Sequence, residues 1–379
     1  MRILMISEDF LPYIGGIGHH VVELSIALAR RGHEVHLLVR IPHWYKSTAV
    51  ELAGVKTCLV PTYTFESGRL HKLRHIEFLL KGFKSMRRLM RHNEFDIVHW
   101  HGLWSDNILA ASARLNSRAK LVFTNHSSKF LEIYSKRLRL NTLKVLMTKP
   151  DVCIAPSKEL AEKYQLIFKN VRAVFISNGV DLKSFGNHLN KTQARKDLGL
   201  PDKGLIVACP RRLCEKNGIQ YLLRAITYIP EYQRPLFVIA GDGPMAHELK
   251  ALAESLGITK HLCFKGAVPY KQMPAIYAAS DIAVIPSLME ATSLAALEAM
   301  ASGLPVVASA VGGLKDLLEE SDAGVLVPAA NPTLLAEAFM PLITDAAVRE
   351  RMTISAKKLA AKYSWDQVAC RTEEVYKHL

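Results

Sequence analysis

Two glutamates, Glu290 and Glu298, stand eight positions apart around the expected start of a helix that consists largely of small apolar residues. Residues 281–286 before them read as a buried parallel strand, and Gly303 after them is typical of a helix end. A carboxylate on a face of Ala, Leu and Met costs free energy unless a partner hydrogen-bonds it. A ligand with several hydroxyl groups would supply such partners, so the two glutamates predict a site for a polyhydroxylated molecule.

The residues between the glutamates offer a second kind of contact. Thr292, Ser293 and Leu294 fall at the N-terminus of the same expected helix, where unpaired N–H groups and the helix dipole favour an anion. The chain order therefore fits a sugar at Glu290, a phosphate at the backbone amides and a ribose at Glu298. For either glutamate taken alone, an ion pair with a basic residue is the alternative.

Two further loops carry residues suited to phosphate. Gly15 and Gly16 follow the first expected strand and open a helix, which allows close backbone approach to a phosphate; a merely tight strand–helix turn is the alternative. In the second half, Arg212 and Lys216 would clamp a diphosphate and stabilise its leaving group; two solvated loop cations are the alternative. The incomplete glycine pattern near Gly16, with no acidic residue after the second strand, disfavours dinucleotide binding.

Length and composition bound the function classes. At 379 residues the chain is expected to form two domains, and 49% hydrophobic with 22% charged residues is typical of a soluble globular protein. The six cysteines are scattered without ligand spacing, there is no D-x-D motif, and no His/Cys/carboxylate cluster has the sequence spacing of metal ligands. We therefore expect no metal site. The absence of a signal-peptide pattern or a long apolar run leads us to expect a cytoplasmic protein.

Positive charge is concentrated in the first half. The formal net charge of the chain is +14. Residues 1–182 contain 27 Lys+Arg against 15 Asp+Glu, a balance of +12, and residues 183–379 carry the remaining +2. Basic and apolar residues interleave in residues 69–92 and 129–149, as they do in interfacial helices. An anionic membrane surface or a lipid-phosphate acceptor explains this pattern, and so do solvated basic faces that pack on a core. Few aromatics accompany the basic residues, which disfavours nucleic-acid binding.

Strand-like and helix-like segments alternate twice along the chain, so each half is predicted to be a doubly wound parallel sheet. The turn signal at residues 178–181 marks the change between halves. We expect an N-terminal domain over residues 1–182 and a C-terminal domain over residues 183–363. Ligands of such sheets bind beyond the carboxyl ends of the strands, which predicts a site in the cleft between the domains.

The pattern E-x7-E at Glu290 and Glu298, with the Gly15-Gly16 turn and the N-G-V-D run at 178–181, closely resembles the retaining glycosyltransferases of family four over nearly the whole chain. The resemblance implies the GT-B fold, in which two Rossmann-like domains face a central cleft. It implies that residues 1–182 form the acceptor domain and residues 183–363 the donor domain. It also implies that a last helix at about 364–379 packs back on the first domain.

The resemblance also implies roles for single residues. Glu290 would meet hydroxyls of the donor sugar and Glu298 the ribose, while the amides of residues 292–294 would bind the diphosphate; Ala291-Thr292-Ser293 stands where the family usually has Gly-Phe-Gly. The family commonly writes the basic loop as R-L-x-x-x-K-G, and Arg212 and Lys216 are assigned to it.

The remaining assignments from the resemblance concern the first domain and the base. Gly15 and Gly16 would lie beside the donor phosphate and the acceptor. His126, in a Thr-x-His pattern, would contact the outer hydroxyls of the donor sugar, with His101 as the second choice. Val268 would lie in the backbone segment that meets the base.

Together these observations predict a metal-independent, retaining glycosyltransferase that needs no cofactor. It would move a hexose or HexNAc from a nucleotide-diphospho-sugar, UDP- or GDP-linked, to a hydroxyl acceptor that is lipid-linked or a cell-envelope glycan. The basic N-terminal domain would attach it to the inner face of a membrane. Two alternatives stay open: a nucleotide-sugar epimerase of the same architecture, which would turn over donor without acceptor, and a non-catalytic protein that binds sugar nucleotides.

Overall fold

The structure is a computed structural model that describes residues 1–10, 16–45, 52–63, 73–127, 130, 146–186 and 189–379. The chain divides into two compact units. The first unit contains residues 1–178 and 365–379, and the second contains residues 179–364. Among the described residues, no helix combines the length and the apolar character that crossing a bilayer requires.

A seven-stranded parallel sheet forms the centre of the first unit, in the order β3-β2-β1-β4-β5-β6-β7. Its strands are β1 (Arg2–Ser7), β2 (Glu34–Pro42), β3 (Val55–Thr62), β4 (Ile97–Trp100), β5 (Lys120–Thr124), β6 (Val152–Ala155) and β7 (Arg172–Phe175). Strand β1 is almost wholly buried because it pairs with β2 on one side and β4 on the other. The strand order reverses between β1 and β4, which is where sheets of this kind bind ligands.

Helices cover this sheet because apolar side chains recur on one face of each helix. The described helices before the domain change are α1 (Gly16–Arg30), α2 (Leu73–His92), α3 (Ser105–Asn116) and α4 (Lys158–Ile167). Helix α1 directly follows β1 and buries Val21, Leu24 and Leu28 against the sheet. The first turn of α1 is therefore fixed at the carboxyl end of β1.

The second unit has a six-stranded parallel sheet in the order β10-β9-β8-β11-β12-β13. Its strands are β8 (Ile206–Cys209), β9 (Leu236–Ala240), β10 (Leu262–Gly266), β11 (Ile282–Ile285), β12 (Val306–Ser309) and β13 (Gly324–Val327). Its helices are α5 (Leu182–Gly186), α6 (Lys191–Asp197), α7 (Ile219–Tyr228), α8 (Ala246–Ser255), α9 (Met273–Ala278), α10 (Leu294–Ala301), α11 (Gly312–Leu318), α12 (Pro332–Thr344) and α13 (Ala346–Ala361). The strand order reverses between β8 and β11. Two parallel-sheet α/β units confirm the predicted fold class.

The last helix, α14 (Trp365–Lys377), belongs to the first unit. Trp365 is buried against the rings of His19 and His20 in α1, at centroid distances of 5.9 and 5.3 Å. At the other end of α14, Glu373 accepts a hydrogen bond from Arg31 at 2.6 Å. Helix α14 therefore contacts α1 near its start through Trp365 and just beyond its end through Glu373.

Candidate functional site

Five predicted residues of the second unit, Arg212, Lys216, Glu290, Thr292 and Ser293, lie in the two loops at the reversal of strand order. One loop follows β8 and contains residues 210–218, and the other follows β11 and contains residues 286–293. β8 and β11 are paired neighbours, with Val207 opposite Ile282. Their loops therefore leave the same edge of the sheet side by side.

Backbone contacts hold the two loops together. The amide of Leu288 donates to the carbonyl oxygen of Lys216 at 2.8 Å. Gly218 adopts a left-handed conformation with φ +69°, and a Cβ atom there would lie 1.9 Å from the carbonyl oxygen of Pro286. Only glycine fits this approach. The position of Lys216, whose side chain is exposed, thus depends on the packing of its backbone against the second loop.

Arg211 connects the loops through its side chain. Its Nη2 donates to Asn217 Oδ1 and to Ser287 Oγ, each at 2.8 Å, and to Glu290 Oε2. The side chains of Arg211 and Glu290 are 11% and 13% exposed, so water screens this ion pair little. The carboxylate of Glu290 is therefore oriented before any ligand arrives.

The neighbouring Arg212, which the sequence analysis selected, has an exposed side chain. Its carbonyl oxygen accepts a hydrogen bond from Asn217 Nδ2 at 2.7 Å. The role of Arg211 was missed, although the sequence held a signal for it. Arg211 lies five positions before Lys216, which is the separation of Arg and Lys in the R-L-x-x-x-K pattern.

Helix α10 starts between the two glutamates. Ser293 is its N-cap: the side-chain oxygen of Ser293 accepts from the amide of Ala296 at 3.2 Å, and the first helical residue is Leu294. Thr292 precedes the cap. The amides of a first helical turn have no acceptor within the helix, so this end of α10 offers donors to an anion.

A close backbone approach fixes the start of α10. A Cβ atom on Gly313 would lie 2.5 Å from the carbonyl oxygen of Ala291, and the amide of Gly313 donates to the carbonyl oxygen of Glu290 at 3.4 Å. The first turn of α11 therefore packs directly on the segment between Glu290 and Ser293. Only glycine at position 313 allows this close packing.

Glu298 lies in the second turn of α10 and is 6% exposed. Burial raises the pKa of its carboxyl to about 7, although hydrogen bonds from Tyr277 and Tyr270 lower it. The Tyr277 hydroxyl donates to Glu298 Oε2 at 2.8 Å from helix α9. Neither tyrosine was predicted from the sequence, although both stand shortly before β11 with a seven-residue spacing.

One assigned position of the second unit, Val268, lies away from these loops. Val268 follows β10, the edge strand, and packs half-buried against the core of the second unit. It is therefore two strands away from β8. Gly15 lies outside the described residues, whereas Gly16 is the exposed first residue of α1.

The predicted residues of the first unit lie at its own reversal of strand order. His101 follows β4 and His126 follows β5, and the Nδ1 atom of His101 lies 3.1 Å from the Nε2 atom of His126. Both line a cavity of about 230 Å³ together with Glu8, Asp9 and Asp106 and others. The structure thus brings the first and second choices of histidine together.

A third histidine, His20 of α1, reaches the same cluster. Its ring centroid is 4.5 Å from that of His126, and its Nδ1 atom is 2.7 Å from Asn178 Oδ1. Burial lowers the pKa of His20 to about 4 and the pKa values of His101 and His126 well below their usual range. All three imidazoles are therefore neutral near pH 7.

Comparisons with known proteins match both units. The family model for glycosyltransferase family 4 matches residues 14–184, and the model for glycosyl transferases group 1 matches residues 190–359. An uncharacterised glycosyltransferase of Methanocaldococcus jannaschii is 30% identical, with 100% of this chain and 98% of that protein covered. The D-inositol 3-phosphate glycosyltransferase of Corynebacterium diphtheriae is 27% identical, over 99% of this chain and 94% of that protein.

A solved structure shares the fold. The crystal structure of Anabaena HepE in complex with UDP-glucose matches with a TM-score of 0.78 at 19% identity and covers 100% of both chains. Two Rossmann-like units with parallel sheets, matched over their full length in this way, constitute the GT-B fold that the sequence analysis predicted.

Proposed function

The chain belongs to the family 4 glycosyltransferases, and from that premise we propose that it transfers a hexose or HexNAc from a nucleotide-diphospho-sugar to a hydroxyl acceptor, with retention and without a metal ion. One observation carries the proposal. Glu290, already oriented by Arg211, and the buried Glu298 stand on either side of the first turn of α10. This arrangement offers a carboxylate, amide donors and a second carboxylate in the order of sugar, diphosphate and ribose.

The proposed roles follow from the chemistry of these groups. Glu290 accepts hydrogen bonds from hydroxyls of the donor sugar, and Glu298 accepts from the ribose. The amides of residues 292–294, with Arg212 and Lys216, hold the diphosphate and offset the negative charge that develops on it as the sugar leaves. These fixed positive groups do the work that a metal ion does in other transferases.

In the first unit, His126 contacts the outer hydroxyls of the sugar, and Gly15 and Gly16 lie beside the phosphate. Val268 contacts the base. For the donor, we propose a UDP- or GDP-linked sugar; UDP-glucose in the Anabaena protein supports UDP. The acceptor oxygen bonds to the anomeric carbon on the same face from which the nucleoside diphosphate leaves, and a donor phosphate oxygen takes the proton of the acceptor hydroxyl. This same-face displacement retains the configuration without a covalent bond between a side chain and the sugar.

A transfer assay with Glu290→Gln tests the central role. Gln keeps the shape and still accepts from Arg211, but it lacks the charge that polarises the sugar hydroxyls. We expect kcat to fall about 100-fold, while the Kd for the nucleoside diphosphate stays within about threefold. The matched control is Glu319→Gln, an exposed glutamate of the same unit.

Normal transfer by Glu290→Gln would refute the proposed role of Glu290 at the donor sugar. The assay uses UDP- and GDP-sugars with acceptors that include D-inositol 3-phosphate, which the name of the Corynebacterium relative suggests. Proton NMR of the product reports the anomeric configuration. Conversion of the donor sugar to an epimer without any acceptor would instead favour the epimerase alternative.

Peripheral membrane attachment is the second part of the proposal, and helix α2 supports it. Its exposed stripe begins with Leu73, Ile76 and Leu80, which are 45%, 55% and 67% exposed. The same stripe continues at helical spacing with Lys84 and Arg87, which are also exposed. Apolar residues next to basic ones are what an anionic bilayer surface binds. The predicted basic segment at 129–149 lies largely outside the described residues.

Co-sedimentation with vesicles of anionic lipid at low salt tests this attachment. We expect binding that weakens with salt and falls at least about tenfold in Leu80→Ser, because each buried apolar side chain contributes about 1.5–3 kcal/mol. Ile354→Ser is the control, since Ile354 is 64% exposed on α13 of the other unit. No sedimentation of the wild type at low salt would rule the attachment out.

A further inference from the structure

Three histidine side chains of the first unit converge from separate elements. His20 comes from α1, His101 follows β4 and His126 follows β5. One ring nitrogen from each lies within 4.8 Å of the others. Their positions 20, 101 and 126 have no ligand spacing in the sequence, and the parallel sheet brings them together because the carboxyl ends of its strands share one edge.

The distances suit a metal ion. Zn²⁺ binds imidazole nitrogens at about 2.0–2.1 Å, so two ligands of a tetrahedral site lie about 3.3 Å apart. His101 Nδ1 and His126 Nε2 are 3.1 Å apart. Without a metal ion this pair forms a hydrogen bond, and a bound ion would take the place of the shared proton at nearly the same separation.

The contacts of His20 determine which of its two ring nitrogens would bind a metal ion. Its Nδ1 lies 2.7 Å from Asn178 Oδ1. An amide oxygen only accepts, so Nδ1 carries the proton and Nε2 carries the lone pair. That Nε2 atom is buried and, within the described part of the chain, has no hydrogen-bond partner. A polar partner that orients the other nitrogen is the usual support of a metal-binding histidine.

A purely structural role explains the cluster less well. His99, whose ring centroid is 4.3 Å from that of His101, is a core histidine with both nitrogens satisfied: its Nδ1 hydrogen-bonds the Tyr376 hydroxyl and its Nε2 the Thr124 hydroxyl. By contrast, His20 Nε2 is buried without a partner among the described residues, and a metal ion would supply one. Buried polar atoms of this kind are rare and need an explanation.

We propose that His20, His101 and His126 form a binding site for one divalent transition-metal ion of the Zn²⁺, Co²⁺, Ni²⁺ or Cu²⁺ class. Three neutral imidazoles select this class over Mg²⁺ and Ca²⁺, which prefer oxygen ligands. Three protein ligands leave the fourth tetrahedral position to water or a small ligand. Resting on the proposed function, the ion inhibits transfer, because it takes the nitrogen of His126 that contacts the donor sugar.

Titration of the chelator-treated full chain with Co²⁺, followed by visible absorption, tests the site without reference to activity. We expect one Co²⁺ per chain with the spectrum of tetrahedral coordination. The affinity should fall at least about tenfold in His20→Ala and in His101→Ala, because each removes a ligand. His36→Gln is the control, since His36 is a buried histidine of β2 in the same unit.

Two results would overturn the proposal. One is a folded wild type that binds no stoichiometric Co²⁺, which needs no variant to fold. The other is equal affinity in wild type, both alanine variants and the control. Asn178→Leu provides a further check: it leaves all three ligands in place but removes the acceptor of His20 Nδ1, and we expect about a tenfold loss of affinity.

The inhibition is tested separately. Zn²⁺ should inhibit transfer by the wild type, EDTA should reverse this, and His20→Ala should need at least about tenfold more Zn²⁺. One-to-one Co²⁺ binding without inhibition would leave the metal site in place and refute the contact of His126 with the donor. A protein that binds Co²⁺ but transfers no sugar, with or without EDTA, would overturn the proposed function alone.

Discussion

Glu298→Gln should remove a pH dependence of donor binding that the wild type shows. The carboxyl of Glu298 is buried, and burial raises its pKa to about 7. A ribose hydroxyl that donates to this group favours the ionised form. Donor binding should therefore strengthen as the pH rises through 7.

The size of the effect follows from the ionised fraction. With a pKa of about 7, roughly a tenth of Glu298 is ionised near pH 6 and roughly nine tenths near pH 8. If the carboxylate form binds, the affinity should rise about tenfold across this range. The amide that replaces the carboxyl in Glu298→Gln does not titrate, so the affinity of this variant should stay constant within about twofold.

The same pKa predicts an effect on stability with a defined sign. The pKa of Glu298 in the folded protein lies above the unfolded value of 4.5, so protonation of this carboxyl stabilises the fold. This contribution is fully present below about pH 4.5 and is lost as the pH rises through 7. Ionisation near pH 8 thus costs the folded wild type up to about 3 kcal/mol. Glu298→Gln should flatten this part of the pH profile of the free energy of unfolding.

Calorimetric titration with UDP-glucose measures the binding effect, because the diphosphate of a nucleotide sugar is a diester without a proton that titrates near neutral pH. Tyr277→Phe is an informative companion: it removes a hydrogen bond that stabilises the carboxylate, so the midpoint should move to higher pH. Glu319→Gln, an exposed site, is the control. A tenfold pH change that persists in Glu298→Gln would refute the assignment of Glu298 to the ribose.

Two further predictions concern the loops that hold the site. Arg211→Met leaves a largely buried Glu290 carboxylate without its cation and should lower the free energy of unfolding by about 3 kcal/mol. Arg212→Met, at an exposed position, should change it by less than about 0.5 kcal/mol. Denaturant titration measures both variants, and equal effects would contradict the assignment of the ion pair to Arg211. Gly218→Ala places a Cβ against the Pro286 carbonyl and should weaken both nucleotide binding and the stability of the fold. Gly204→Ala is the control, since Gly204 also has a positive φ but has open space around it; this variant should lose only about 1 kcal/mol of stability and bind nucleotide normally. A normal Kd in Gly218→Ala would mean that the loop packing does not position Lys216.

The parallel-sheet units could be predicted because fully buried strands of Val, Ile and Ala alternate with amphipathic helices. This pattern can be recognised within each short segment of the chain. The placement of Glu290 and Glu298 about the start of α10 is local too, since Ser293 and the small residues after it specify a helix start. The order of strands, with β1 beside β4 and β8 beside β11, depends on contacts distant in sequence.

The choice between Arg211 and Arg212 shows the limit of local reasoning. The two residues are adjacent, and which one faces Glu290 depends on the loop backbone. That backbone is fixed by Gly241, where a Cβ would lie 2.1 Å from the carbonyl oxygen of Arg211. Tyr277 likewise reaches Glu298 only through tertiary packing of α9 on α10.

The histidine cluster was beyond sequence reasoning for the same reason. Our expectation of no metal site rested on the spacing of His, Cys and carboxylates along the chain. His101 and His126 directly follow the neighbouring strands β4 and β5, and His20 reaches them from α1, which follows β1 at the same edge of the sheet. The spacing of these residues along the chain does not reveal that they meet at one edge of the sheet.

Binding of UDP, GDP, ADP and TDP, measured by thermal shift with and without EDTA, reports whether the loops after β8 and β11 form a diphosphate site. A nucleotide that binds the folded state raises the unfolding midpoint by mass action. We predict a clear shift for one nucleotide, unchanged by EDTA and reduced in Lys216→Ala, which loses a diphosphate contact. No shift for any nucleotide, or an equal shift in wild type and Lys216→Ala, would contradict a diphosphate site at the loops after β8 and β11.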